Sequence, residues 1–144
     1  MASDTALGQT ANLEVMATVE ASCTLEGATL NFGTYRSEEP ATTQATIGYN
    51  CPGDLTISLA LSSGQNPQGR VRAMLRDGDD DLLPYQLYQD SARQQIWGDQ
   101  ADRLVIDSTD DGDASVEVYG QIEAGYLVPP GNYRDTVLIT LMIE

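Results

Sequence analysis

The side chains with the widest chemical reach in this 144-residue chain are two cysteines, Cys23 and Cys51, and 22 carboxylates. An even cysteine pair in a short chain suits one disulfide and an oxidising compartment; two buried free thiols are the alternative on count alone. If joined, the pair closes a loop of about 29 residues and stabilises the fold by roughly 3–4 kcal/mol in the chain-entropy model. The carboxylates gather in Asp77-Gly78-Asp79-Asp80-Asp81 and between Asp107 and Asp113, a composition that invites calcium, which binds through oxygen ligands. Neither run keeps the spacing of a helix–loop–helix calcium site: Leu82 stands where the first needs glycine, and Val118 where the second needs a bidentate glutamate. Both read as solvated acidic turns, so no metal and no cofactor is expected. The Glu38-Glu39 pair sits in a loop without a partner base, which argues against a glycosidase. Tyr85, Tyr88, Trp97, Tyr119 and Tyr126 would line a sugar site if clustered, but alternating strand aromatics read as core; Tyr35, Tyr49 and Tyr133 read as packing.

Composition removes most reaction classes. There is no histidine, and all seven basic residues are arginine. A Ser-His-Asp or Cys-His unit, a histidine metal site and an imidazole base are therefore impossible, as are lysine Schiff bases and a phosphate-loop lysine. The chain is not expected to be an enzyme. A formal net charge of −15 repels nucleic-acid phosphates and anionic lipid, so neither is an expected partner. No apolar run approaches the roughly 20 residues that a membrane-spanning helix needs, so no membrane insertion is expected. The start, Met1-Ala2-Ser3-Asp4, lacks the basic and apolar regions of a secretory signal, which fits either a cytosolic protein or a mature form.

The elements that position these residues are strands. Hydrophobicity alternates with period two almost throughout. Ala11, Leu13, Val15, Ala17, Val19, Ala21, Cys23 and Leu25 share one face, opposite mostly polar neighbours. Short pieces follow at 29–32, 45–51, 55–61, 71–75 and 83–90, then Ile96-Trp97, 104–106 and 116–122, and a last segment from Tyr133 to Ile143. Turn signals recur about every ten residues and no helical pattern intervenes, which predicts one all-β domain, a β-sandwich.

Two segments carry more than fold information. Fifteen residues of alternation from Ala11 to Leu25 would reach roughly 50 Å, against strands that usually span about 17–20 Å. Either this run bends and switches sheets, or its first half reaches outside its own domain. The last segment is strongly apolar, and its free side is expected to lack a covering strand, which makes it an aggregation hazard unless something pairs with it. Strand addition from a neighbouring molecule would satisfy both.

At this point the sequence resembles the spore coat protein U domain family, which contains subunits of the archaic, Csu-type chaperone–usher pili. The resemblance rests on Ala21-Ser22-Cys23-Thr24-Leu25, Leu30-Asn31-Phe32-Gly33, Ile47-Gly48-Tyr49-Asn50-Cys51 and Arg72-Ala73-Met74. It continues through Leu83-Pro84-Tyr85-Gln86-Leu87-Tyr88-Gln89-Asp90, Trp97-Gly98-Asp99, Val118-Tyr119-Gly120-Gln121-Ile122 and Gly131-Asn132-Tyr133-Arg134-Asp135-Thr136-Val137. These pieces span nearly the whole chain in order. The extreme acidity and the Asp77–Asp81 turn depart from the pattern.

The resemblance implies an incomplete immunoglobulin-like sandwich completed by a donor strand from a neighbouring subunit, with a disulfide between Cys23 and Cys51. Residues 1–20 would be the donor arm and 21–144 the pilin body. Leu13, Val15, Ala17 and Val19 would face the groove of the next subunit, and Val137, Ile139, Leu141 and Ile143 would line that groove on one side. Its far wall would be the strand that begins near Cys23. Burying those arm side chains is worth several kcal/mol at about 25 cal/mol per Å2. The implied function is a structural subunit of an extracellular pilus that polymerises by donor-strand exchange and supports adhesion and biofilm formation. Its partners would be identical subunits in a filament, with a periplasmic chaperone and an outer-membrane usher during assembly. A monomeric secreted coat protein or a carbohydrate-binding sandwich is the alternative.

Overall fold

Strand β2 (Ala41–Asn50) and strand β7 (Asp113–Ile122) form the spine, paired antiparallel from Ala41 opposite Ile122 to Asn50 opposite Asp113. Their alternating pattern puts Ala45, Ile47, Val118 and Ile122 on one face, and burying that face fixes the register, because a one-residue slip would turn every one of them outward. The computed structural model describes residues 8–18 and 22–144. Around the spine lie β1 (Thr24–Leu25), β5 (Leu82–Tyr88), β4 (Arg72–Arg76) and β8 (Tyr133–Arg134), completing a six-stranded sheet in the order β1-β2-β7-β5-β4-β8. A second sheet of β6 (Leu104–Ile106), β3 (Ile57–Leu61) and β9 (Ile139–Ile143) has the order β6-β3-β9. Every ladder is antiparallel. Apart from one 3-10 turn at Gln100–Asp102, the described residues are strand and loop.

The two sheets enclose a core of Ile47, Leu59, Leu61, Leu83, Tyr85, Leu87, Trp97, Val118 and Ile122. Trp97 is wholly buried, and its indole N–H donates to the Leu59 carbonyl at 2.8 Å, so the one polar atom of the ring is satisfied where water cannot reach it. Cys23 and Cys51 form the disulfide, which fastens the start of the body to the end of β2.

An arginine also sits inside. Arg72 is 3% exposed. Its guanidinium donates to the carbonyls of Ser62 (2.9 and 2.7 Å), Leu61 (3.2 Å) and Trp97 (2.8 Å) and to Gln86 Oε1 (2.6 Å). Burial is the main influence on it and pulls its pKa below the ordinary arginine value; Tyr85, Asp135 and Asp99 act in the opposite direction. A planar fork of donors suits this place, where the chain leaves β3 and the Trp97 loop crosses it, and three carbonyls converge without ladder partners.

Three strand expectations change. The long amino-terminal strand is reduced to Thr24–Leu25: residues 8–18 join no ladder, and Val19, Glu20 and Ala21 lie outside the described residues. The piece at 29–32 forms no ladder either. After Glu26 donates to the Gly48 carbonyl at 2.8 Å, the chain peels off the sheet edge so that Leu30 and Phe32 can lie over Gly120. A Cβ at Gly120 would meet Phe32 Cζ at 2.9 Å, so glycine is what allows this approach. The last segment is split, with β8 in the first sheet and β9 in the second.

Replacing Arg72 with leucine should lower stability by at least roughly 3 kcal/mol, because several buried acceptors lose their donor together, read as a lower urea midpoint. Arg70→Ala is the control: that side chain is 82% exposed and its ion pair with Asp102 lies at the surface, so its midpoint should move by no more than about 0.5 kcal/mol.

Candidate functional site

The division of the last segment opens the molecule on one side. Asp135 is the pivot. Its carboxylate accepts the backbone N–H groups of Gln65 and Thr136, each at 2.9 Å, and the Tyr85 hydroxyl. A Cβ at Gly64, which has φ +82°, would collide with the Asp135 carboxylate; glycine is required there both for the left-handed backbone and for the close approach. Beyond the pivot, Leu138 donates to Ser62 Oγ at 2.8 Å and its carbonyl accepts from Ser62 N–H at 3.0 Å. β9 then runs along β3, from Ile139 opposite Leu61 to Ile143 opposite Ile57.

The backbone parity of β9 decides what its other side offers. Leu138 and Glu144 bond towards β3, so the even-numbered residues turn their N–H and C=O groups inward to that partner. Alternation then leaves the N–H and C=O groups of Val137, Ile139, Leu141 and Ile143 aimed at the opposite edge. Among the described residues no strand pairs with that edge.

Beside this edge lies a cleft of about 310 Å3. Val137 and Ile139 border it on one side, Leu30 and Phe32 on the other, and its floor is formed by Ile47 and Val118 of the spine. The Phe32 ring meets Tyr85 edge to face, with centroids 6.1 Å apart. A second cleft of about 770 Å3 continues from it between residues 29–37 and 126–134 and shares Leu30, Phe32, Tyr133 and Arg134. Together they form a groove, mainly apolar beside β9 and mixed in polarity further along, with one wall that has no ladder (residues 28–33) and one wall with a backbone edge that no described strand pairs with. Tyr35 secures the far end: its hydroxyl donates to the Glu123 carbonyl at 2.6 Å and accepts from Tyr126 N–H at 3.1 Å.

The residues singled out from the sequence fall as follows. Val137 and Ile139 line the cleft. Leu141 is half-buried and packs against the core. Ile143 is 45% exposed and lies past the cleft's end. Leu13 and Val15 are 87% and 83% exposed, and Ala17 is exposed as well, so this stretch does not occupy the cleft of its own chain. Val19 lies outside the described residues. Sequence reasoning took Tyr85 as a core aromatic and assigned no role to Arg72, Gln86 or Asp135; the four hold the two sheets and the groove wall in place. All four sit in the quoted motif pieces, and that coincidence was the only signal available.

The acidic runs are engaged locally. Asp77 pairs with Arg134 at 3.0 Å, and Asp79 and Asp81 both pair with Arg76. Asp79 titrates below the usual carboxylate range, first because it accepts the Asp80 N–H and then because of Arg76. Asp111 accepts from Gly53 and Asp113 from Asn50. Among the described residues no three potential ligands converge on a metal position.

The two antiparallel sheets and the open groove define an immunoglobulin-like β-sandwich. The fold matches a chain of the crystal structure of the CsuC–CsuE chaperone–tip adhesion subunit pre-assembly complex from archaic chaperone–usher Csu pili of Acinetobacter baumannii, with a TM-score of 0.66 and 22% sequence identity over 86% of this chain. This chain spans 40% of the length of that one. Residues 9–140 match the model of the Spore Coat Protein U domain, and the chain belongs to that family. A relative, Protein U of Myxococcus xanthus, is 31% identical over 152 residues, covering 92% of this chain and 83% of its own length.

The Tyr85–Asp135 contact has a pH signature. Burial, then the Asp135 hydrogen bond, pushes the Tyr85 phenol far above its ordinary value. A raised folded-state pKa means that the neutral phenol favours the folded state; its contribution is complete below about pH 10 and fades as pH climbs above it, where only the unfolded chain ionises. Tyr85→Phe should therefore flatten the alkaline decline in stability, measured by urea unfolding between pH 8 and 11. An unchanged slope would show that other groups govern the alkaline limb.

Proposed function

We propose that this protein is a structural subunit of an extracellular chaperone–usher pilus, built by donor-strand exchange between identical subunits. Residues 1–20 act as the donor arm and 21–144 as the receiving body. Leu13, Val15, Ala17 and Val19 of one copy enter the groove of the next, against Val137, Ile139, Leu141 and Ile143. The observation that carries this reading is the coexistence, among the described residues, of an exposed stretch with apolar residues at period two and an apolar-floored cleft bordered by a strand edge that no described strand pairs with. Each is unfavourable in water, and a β-segment carrying alternate apolar side chains satisfies both.

Partners follow from the same need. Before the arm of a neighbour arrives, the groove requires a temporary strand, the service of a periplasmic chaperone; an outer-membrane usher then supervises the exchange. A solved structure that shares this fold is a chaperone–subunit pre-assembly complex, which supports this order of events. The filament lies on the cell surface, reached through the periplasm, and serves adhesion and biofilm formation. The carbohydrate-binding alternative needs an aromatic platform, and its strongest member, Trp97, is wholly buried.

Leu13→Glu or Val15→Glu should abolish polymerisation while leaving the chaperone-bound monomer intact, because a carboxylate would have to enter an apolar groove. The readout is the ladder of bands that such polymers give on detergent gels until boiled, together with filaments seen by electron microscopy. Continued polymer growth in these variants, or a wild-type protein that runs as one unheated band, would overturn the proposal.

A further inference from the structure

The register of the incoming arm can be read from the outer face of β9. The exposed face of the arm carries Asn12, Glu14, Met16 and Thr18; Met16 is its one large apolar residue and is 86% exposed. The outer face of β9 and the residue before it presents Leu138, Thr140, Met142 and Glu144, with Leu138 68% and Met142 57% exposed. We propose that the arm of a second copy pairs antiparallel with β9 in one register, with Met16 opposite Leu138, Leu13 opposite Leu141, Val15 opposite Ile139 and Ala17 opposite Val137. This rests on the donor-strand reading above and adds to it the alignment and the residue pair that selects it.

Direction follows from the edge itself. The free edge of β9 offers paired N–H and C=O groups at odd positions, which an antiparallel partner engages with perpendicular bonds; a parallel ladder is slanted and weaker per residue. Antiparallel pairing sets the arm's odd residues opposite Val137, Ile139 and Leu141 as hydrogen-bonded pairs, with their side chains towards the cleft. The even residues become the non-hydrogen-bonded pairs, whose side chains approach most closely.

Two alignments bring Met16 opposite an apolar neighbour. Opposite Met142, the arm sets Glu14 directly against Glu144 and carries Leu13 past the end of β9. Glu144 already holds Arg103 at 2.7 Å, and like charges directly opposite are destabilising. Opposite Leu138, Glu14 meets Thr140, Asn12 meets Met142, and Val15 and Ala17 reach the two residues, Ile139 and Val137, that border the cleft. The one alignment between them sets Leu138 opposite Thr18 and Met16 opposite Thr140; it seats Val19 opposite Val137 but pairs neither exposed apolar residue of the outer face of β9 with one of the arm.

Paired cysteines test this in the full chain, expressed with its chaperone and allowed to polymerise and oxidise. Non-hydrogen-bonded neighbours lie about 4.5 Å apart at Cα, within disulfide range. Met16→Cys with Leu138→Cys, and Asn12→Cys with Met142→Cys, should each give a ladder that survives boiling and disappears on reduction; Met16→Cys with Met142→Cys should not. A boiling-resistant ladder for the third pair in place of the first two, equal ladders for all three, or unheated polymer without a cross-link at any pair would overturn this register while leaving donor-strand exchange standing. Absence of polymer from the wild-type chain would overturn both. A thermal double-mutant cycle covers any cysteine variant that fails to assemble. In the polymer's melting temperature, Met16→Ser and Leu138→Ser should be markedly non-additive, whereas Met16→Ser and Met142→Ser should add; additivity in the first cycle overturns the pairing.

Discussion

One carboxylate decides the shape of this molecule. Asp135 gathers two backbone N–H groups and the Tyr85 hydroxyl, and by holding them it turns the chain out of the six-stranded sheet and into the three-stranded one. Without that turn, residues 135–137 would continue along β4 opposite Met74 to Arg72, away from the line along which β9 pairs with β3. The polar cluster around it serves the same end. Arg72 ties the end of β3 and the Trp97 loop to Gln86 of β5, so the wall and the floor of the groove are braced against each other. Buried polar groups of this kind are costly unless nearly every donor finds an acceptor. Here they do, at the place where the sandwich would otherwise close or drift apart.

The groove that results is unlike a small-molecule pocket. It is long, apolar on its floor and bordered by backbone groups at a regular spacing, and of the polar side chains on its lining Tyr85 and Asp135 are engaged with each other and not offered to orient a bound substrate. An extended polypeptide suits it, because only a β-segment supplies backbone bonds along one edge and alternate side chains to the floor. The exposed arm of the same chain has that character.

Charge plays a separate part. Asp77, Asp79, Asp81, Asp111 and Asp113, which look like ligands in the sequence, are engaged by arginines, turn N–H groups and the asparagine that ends β2, which keeps the turns between strands well formed. What remains is a strongly anionic surface, which discourages indiscriminate contact between exposed apolar segments and leaves association to the groove.

The alternation of Val, Ile, Leu and Tyr with polar residues, and the spacing of the turns, determined that this chain forms an all-β sandwich, and the absence of histidine and lysine set aside most chemistry before any coordinate was known. The two cysteines were legible as a pair only through the family resemblance. What periodicity could not reveal is which ladder a strand joins. Tyr133, Val137, Ile139, Leu141 and Ile143 share one parity, broken only by Asp135, and their ladder partners change across that residue, because a period of two records which face is apolar and not which ladder a strand joins. The same limit hid the fate of residues 29–32, whose apolar side chains cover Gly120 from above the sheet instead of pairing within it. Tertiary structure alone decided that β9 would lie at a sheet edge with no further strand beside it among the described residues, since that depends on contacts between Asp135, Gln65 and Tyr85, residues brought together from distant parts of the chain.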